Sequence, residues 1–192
     1  MITLITNAHI VSPDVEIENG AIAITNGIIS GVYKAGESLP TADTTFDAQG
    51  QYAFPGFIDI HAHGADGNDV CDNSLEAVRH IAKVKLQEGV TTWLPTTLTQ
   101  PQAKLIEIAE KVAQYNANQE FVKTPGLHVE GPFINVSKAG AQNPEFVREP
   151  NLEELKEIHA IAPALIFSIA PCQPNACEVV AGAKALGISS SA

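Results

Sequence analysis

The chain has 192 residues, 45% of them hydrophobic and 17% charged, so it can bury a core rather than stay disordered. Its 11 Lys and Arg against 22 Asp and Glu give a net charge of −11, which excludes general binding to nucleic acid phosphates. No apolar run reaches the roughly 18 residues of a membrane span, and the start lacks the basic region of a signal peptide. With three cysteines and no export signal, we expect reduced thiols in a cytoplasmic protein that binds neither nucleic acid nor membranes.

Residues 1–54 are predicted to form a small β-domain. Short segments rich in isoleucine, valine and threonine alternate with turn residues. The Asn26-Gly27 pair predicts a tight hairpin, because both central positions of a type I′ turn need positive φ. Residues 18–20 predict another turn. The expected strands are 3–11, 20–25 and 28–34, and 44–47 with 51–54 are expected to add one more hairpin.

From residue 55 to residue 192 the pattern changes to alternating strands and helices. Ser74 and Gly89 mark the two ends of the first helix, as N-cap and C′ residue. The expected strands are 57–62, 90–94, 126–129, 164–170 and 188–192, and the expected helices are 74–88, 102–117, 152–161 and 176–186. This order predicts an α/β fold with a parallel sheet. A closed (β/α)8 barrel needs roughly 250 residues, so the segment is either a small open sheet or about half of a barrel.

The first candidate site lies at the end of the strand that opens this segment. Asp59, His61 and His63 alternate, so they share one strand face, and Gly64 leaves space beside them. Two imidazoles at a strand's carboxyl end can close on one divalent cation. We expect Asp59 to support the two histidines. An isolated H-x-H pattern also occurs by chance, as two histidines paired within the fold.

A second candidate site follows the same logic on a later strand. His128 and Glu130 alternate at the carboxyl end of that strand, where α/β folds build their sites. Glu130 offers an oxygen ligand for zinc, iron or manganese, and His128 is expected to support it. The alternative is a carboxylate paired with a lysine at the rim of the fold.

The loop after Glu130 carries small and amide side chains. Lys138, Ala141 and Gln142 lie in a segment whose small residues let a ligand approach the backbone, and the Gln142 amide suits sugar hydroxyls or another amide. An ordinary surface turn explains the same residues. Earlier in the chain, Trp93 is expected in the core, while Thr96 and Thr97 face the site or cap the next helix.

Four segments together resemble the amidohydrolase superfamily and, within it, the N-acetylglucosamine-6-phosphate deacetylase family. They are the N-terminal β-segment, PGFIDIHAHG (55–64), GVTTWLPTT (89–97) and GLHVEGPFINVSKAGAQNPEFVR (126–148). The last is the most specific, because most amidohydrolases have a lysine where this segment has the glutamate. The resemblance implies a small β-sandwich-like domain over 1–54. It also implies that 55–192 form the first half of a (β/α)8 metal-dependent hydrolase barrel of the TIM type.

The resemblance also implies roles for individual residues. Glu130 matches the family's metal-binding glutamate, and His61 and His63 match the pair that binds a second metal in members that keep it. One or two divalent ions per site, zinc, iron or manganese, are therefore expected. Ala141 and Gln142 match the pair that contacts the substrate, although position 142 is often histidine in the family.

The last residues of the chain, GISSSA (187–192), resemble the family strand that leads into Gly-His-Ser, whose histidine is a metal ligand. By this resemblance, that ligand, the catalytic aspartate and the phosphate-binding residues lie beyond Ala192. No residue of the chain is therefore assigned as general base, and the 192-residue chain alone is expected to be inactive.

The implied reaction is deacetylation of N-acetylglucosamine 6-phosphate to glucosamine 6-phosphate and acetate in amino-sugar catabolism. In the family mechanism a divalent ion polarises the acetyl carbonyl and lowers the pKa of a bound water, and the aspartate transfers the proton. The expected partners are this small amino-sugar phosphate and a second subunit in a homodimer. The alternatives are an N-acetylgalactosamine-6-phosphate deacetylase, a cyclic-amide hydrolase or deaminase, which the loop 131–148 disfavours, and a non-catalytic fragment.

Overall fold

The computed structural model describes all 192 residues, which divide into two compact units, Met1–Pro55 and Gly56–Ala192. The first unit is one mixed five-stranded sheet in the order β3-β2-β1-β4, with β5 also paired to β1. Its strands are β1 (Ile2–Ser12), β2 (Val15–Thr25), β3 (Ile28–Tyr33), β4 (Thr44–Asp47) and β5 (Tyr52–Ala53).

Positive φ values at turn residues shape this sheet. Asn26 and Gly27 have φ of 51° and 82° and join β2 to β3 as an antiparallel pair, which confirms the predicted hairpin. The turn predicted at 18–20 is wrong, because β2 continues through it. Asn19 has a φ of 50°, and the pairing of β1 with β2 shifts register nearby. Asparagine tolerates this conformation, so the strand bulges there instead of reversing.

The hairpin predicted from 44–47 and 51–54 is also wrong. Strands β4 and β5 do not pair with each other; each pairs in parallel with a different part of β1. Gln49 and Gly50 have φ of 53° and 79°, and the Gly50 N–H donates to the Asn7 carbonyl at 2.7 Å. This tight turn lets the chain continue in the same direction along β1 rather than fold back.

The second unit alternates parallel strands with helices, as the sequence predicts. Strand β6 pairs with β9, and β10, β11 and β12 pair in that order, all in parallel. A bridge between Thr96 and His128 joins the end of β9 to β10. The elements are β6 (Phe57–Ala62), β7 (Gly64–Ala65), β8 (Asn68–Asp69), α1 (Leu75–Gln87), β9 (Val90–Pro95), α2 (Gln102–Ala117), β10 (Leu127–Glu130), α3 (Leu152–Ile161), β11 (Ala164–Ser168), α4 (Ala176–Ala185) and β12 (Ser189–Ser191).

Local signals place the helices against the sheet. The Ser74 hydroxyl accepts the Ala77 N–H at the start of α1, and Gly89 has a φ of 83° just beyond its end, so both predicted caps are confirmed. Trp93 is fully buried, as expected, and its indole N–H donates to the Ala62 carbonyl at 3.1 Å.

No helix has the length and apolar character needed to cross a membrane.

Candidate metal centre

The carboxyl ends of β6 and β10 bring two imidazoles and one carboxylate to a single point. The Nε2 atoms of His61 and His63 lie 3.3 Å apart, and Glu130 Oε2 lies 3.0 Å from the first and 2.9 Å from the second. These are the residues whose alternation on two strands pointed to this end of the sheet. Glu130 pairs with the two imidazoles and with no lysine.

The tautomer of His63 decides what this cluster can hold. Its Nδ1 lies 3.1 Å from the Thr96 carbonyl, and a carbonyl only accepts, so Nδ1 carries the proton. In the neutral ring Nε2 then presents a lone pair to Glu130 Oε2, which also only accepts. Two such atoms repel each other unless a positive charge lies between them, and that charge is a proton or a metal ion.

The spacing of the three ligand atoms fits a divalent cation. Tetrahedral zinc sites with ligand bonds of about 2.0–2.2 Å separate neighbouring ligand atoms by roughly 3.3 Å. The three atoms of His61, His63 and Glu130 lie within 4.8 Å of one another. Two imidazoles and one carboxylate suit zinc, iron or manganese, and three protein ligands leave a coordination position open for water or substrate.

His128 supports this cluster from inside the sheet. Its Nδ1 donates to the Ile60 carbonyl on β6 and its Nε2 accepts from the Ser168 hydroxyl on β11, both at 2.9 Å. Burial lowers the pKa of His128, so the ring stays neutral near pH 7. Its ring meets that of His61 edge to face, with centroids 4.7 Å apart. His128 therefore links three strands and packs against one of the candidate ligands.

Asp59 reaches the cluster only through the backbone. One carboxylate oxygen accepts the His61 N–H at 3.0 Å, and the other lies 3.2 Å from Lys85 Nζ on α1. No hydrogen bond joins it to either imidazole ring. Asp59 therefore fixes the strand that carries His61 and ties it to the neighbouring helix.

The loop after β10 places its two candidate residues differently. Ala141 is exposed. Gln142 is half-buried, and its Oε1 accepts the backbone N–H of Thr99 at 2.6 Å. Neither residue has a hydrogen bond to His61, His63 or Glu130.

A cavity of about 470 Å³ opens beside the cluster. His61 and Glu130 contribute to its wall, and Lys138 is the only lysine or arginine among the lining residues. Loops and a strand end add three further polar or thiol side chains to the wall: Asn135, Ser168 and Cys172.

One residue of the site, Ser168, is missed by the sequence analysis, and the role of Thr96 is left open between the site and the next helix. Ser168, which donates to His128, stands at the carboxyl end of β11, so the strand-end rule that selects Glu130 could have found it. Thr96 acts through its backbone carbonyl on His63, a role that side-chain chemistry does not signal. The structure also decides where Thr96 belongs: α2 begins after Pro101 without a side-chain cap, so Thr96 serves the site rather than the helix.

Comparison with known proteins assigns the family. The profile of the Amidohydrolase family matches residues 52–179, which contain all three residues of the cluster. The chain belongs to the amidohydrolase family. This amidohydrolase chain is 30% identical over 183 residues to N-acetylglucosamine-6-phosphate deacetylase from Bacillus subtilis, covering 92% of the chain and 46% of the relative.

A second relative differs from the first in the sugar that its name carries. N-acetylgalactosamine-6-phosphate deacetylase from Escherichia coli O157:H7 is 31% identical over 156 residues, 80% of this amidohydrolase chain and 41% of the relative. The chain thus spans about half the length of the curated relatives it matches. A crystal structure of N-acetylglucosamine-6-phosphate deacetylase from Pasteurella multocida superposes with a TM-score of 0.86 at 22% identity, over 99% of this chain and 50% of that one. That likeness establishes the α/β amidohydrolase fold.

Proposed function

We propose that the whole protein is a metal-dependent deacetylase that converts N-acetylglucosamine 6-phosphate to glucosamine 6-phosphate and acetate. The observation that carries the proposal is the convergence of His61, His63 and Glu130 on one point at the edge of a cavity of about 470 Å³. One relative named for N-acetylglucosamine 6-phosphate and one named for N-acetylgalactosamine 6-phosphate each share about 30% identity with the chain. N-acetylgalactosamine 6-phosphate is therefore the second candidate substrate.

We also propose that Gly56–Ala192 is the first half of a (β/α)8 barrel, preceded by a β-sandwich-like domain. Strands β6, β9, β10, β11 and β12 follow chain order with helices between them, which is the barrel pattern. Strand β6 pairs only with β9, and its Phe57, Ile58 and Ile60 side chains are 63%, 68% and 53% exposed. Apolar side chains on an open strand edge support further strands covering β6 in the whole protein.

The chain's own residues would prepare the site as follows. Glu130 would supply the negative charge that holds the cation, and the two histidines would supply neutral nitrogen ligands. The Thr96 carbonyl holds the His63 proton on Nδ1, so that Nε2 stays free to bind. The His128 ring packs against His61. When bound, a divalent ion would polarise the acetyl carbonyl and lower the pKa of a water ligand.

Substrate binding would use the residues of the loop after β10. A phosphorylated sugar is an anion, and a protein of net charge −11 repels it in general, so a local positive charge is needed. Lys138 supplies one in the cavity wall. Because Gln142 Oε1 is occupied by Thr99, the group it has left for a substrate oxygen is the Nε2 donor. Ala141 would leave space for the sugar.

The experiment compares acetate release from the two sugar phosphates by the whole protein, loaded with zinc, iron or manganese in turn. We expect acetate release that stops when a chelator removes the metal and returns when the metal is added back. Faster release from the galactosamine compound would select the second substrate. Hydrolysis of a cyclic amide in place of both, or no release with any metal, would contradict the proposal.

On the family resemblance we further propose a cytoplasmic homodimer. Light scattering measures the mass of the whole protein in solution, and a monomer at micromolar concentration would contradict the proposed dimer.

A further inference from the structure

The loop that follows β10 rests on the turn that follows β9. At its start, the backbone of Gly131 has a φ of 76°, and a Cβ there would clash with Thr99 Oγ1, so the two segments are in contact. At its end, the Arg148 guanidinium donates to the Gln100 carbonyl at 3.0 Å. Between these points, Gln142 Oε1 accepts the Thr99 N–H at 2.6 Å.

The middle of the loop depends on the Gln142 contact. From residue 136 to residue 147, every other hydrogen bond joins loop residues to one another, such as the Lys138 N–H to the Asn135 carbonyl at 2.9 Å. Asn135 itself is held on the other side, where its amide donates to Cys172 Sγ at 3.3 Å. The segment 136–141, which carries Lys138 into the cavity wall, is therefore fixed at one end by Asn135 and at the other by Gln142.

The chemistry of Thr99 makes this contact costly to lose. Thr99 is 1% exposed, and its backbone N–H has no acceptor other than Gln142 Oε1. A buried N–H without an acceptor is destabilising. If the loop moves away, the Thr99 amide must therefore either become exposed to water or stay buried without a hydrogen bond. An N–H must meet an oxygen, which also fixes the orientation of the Gln142 side-chain amide.

We propose that Gln142 is a positioning residue: its side-chain carbonyl latches segment 136–141 onto the turn after β9 and so holds Lys138 and Asn135 at the rim of the cavity. The latch acts through the loop and not through contact with the cluster. It does not rest on the proposed deacetylase function, because it holds for any ligand of this cavity.

Limited proteolysis tests the latch without a substrate. Trypsin cleaves after Lys138, in the segment that the latch restrains. In Gln142→Ala we expect cleavage there to be roughly two- to tenfold faster than in the unaltered chain, the range expected for loss of one neutral hydrogen bond. In Gln142→Glu we expect the original rate, because a carboxylate oxygen also accepts the Thr99 N–H. Glu145→Ala is the matched control, since the Glu145 side chain lies in the same loop and has no partner.

Amide hydrogen exchange separates the latch from general loosening of the fold. Gln142→Ala is expected to accelerate exchange of the Thr99 amide roughly two- to tenfold. The exchange rate of the Trp93 amide, which donates to the Lys123 carbonyl, is expected to stay unchanged. Rates equal to the original in Gln142→Ala would overturn the proposal. So would Gln142→Glu behaving like Gln142→Ala, or an equal acceleration at both amides.

Discussion

Replacement of Glu130 by glutamine tests the candidate metal centre directly. The substitution keeps the size of the side chain and removes its charge. No other carboxylate belongs to the group of ligand atoms, so none can take over. Changes to groups that merely orient a metal ligand weaken binding about 10- to 100-fold. Loss of the only anionic ligand is therefore expected to weaken zinc binding by about 100-fold or more, equivalent to about 2.8 kcal/mol.

The assay is competition for Zn²⁺ between the 192-residue protein and a chromophoric chelator at neutral pH. Glu145→Gln makes the same chemical change in the adjoining loop, away from the cluster, and is expected to bind zinc like the unaltered chain. Gln142→Ala, which removes a neutral contact, is expected to change zinc affinity less than tenfold. If Glu130→Gln binds zinc within threefold of the unaltered chain, Glu130 is a rim residue and the assignment of the site is wrong.

Three further predictions concern the second unit. Trp93→Ala is expected to lower the free energy of unfolding by about 3–5 kcal/mol, because the ring is fully buried; a loss below about 1 kcal/mol in urea denaturation would contradict this. Gly131→Ala is expected to lower the free energy of unfolding by about 1–3 kcal/mol in the same assay, because a φ of 76° strains alanine and an added Cβ would clash with the Thr99 side chain; unchanged stability would refute the contact. Iodoacetamide is expected to label Cys172 and Cys177, which are exposed, and to spare Cys71, because burial raises the pKa of that thiol to about 11; three adducts on the native protein by mass spectrometry would show the reasoning to be wrong.

Elements fixed by neighbouring residues could be predicted from the sequence. The Asn26-Gly27 turn and the Ser74 cap each depend on residues a few positions apart, and both are confirmed. The prediction of a β4–β5 hairpin is wrong because the pairing of β4 depends on β1, about 40 residues earlier in the chain. The β7–β8 hairpin was missed although Asp66 and Gly67, with φ of 48° and 76°, are a typical turn pair. Its two-residue strands are too short to show an alternating pattern.

The candidate site also combines features that neighbouring residues specify with features that depend on distant partners. His61, His63 and Glu130 could be selected because alternation on a strand and position at its carboxyl end are local properties. The roles of Ser168 and Gln142 depend on partners 40 and 43 residues away, His128 and Thr99, which no local pattern specifies. The sequence therefore predicts which atoms could bind a metal better than it predicts what holds those atoms in place.

What holds them in place is largely the end of β9. The Thr96 N–H donates to the Ala62 carbonyl at 3.2 Å, and its hydroxyl accepts the Ala62 N–H at 3.0 Å, which binds the end of β6 on one side. The Thr97 N–H donates to the His128 carbonyl at 3.0 Å, which binds β10 on the other. Because side chains alternate, a shift of one residue in either pairing would turn the histidines or Glu130 to the opposite face. The candidate ligands His61 and Glu130, 69 residues apart in the chain, thus meet through two buried threonines whose own side chains do not belong to the cluster.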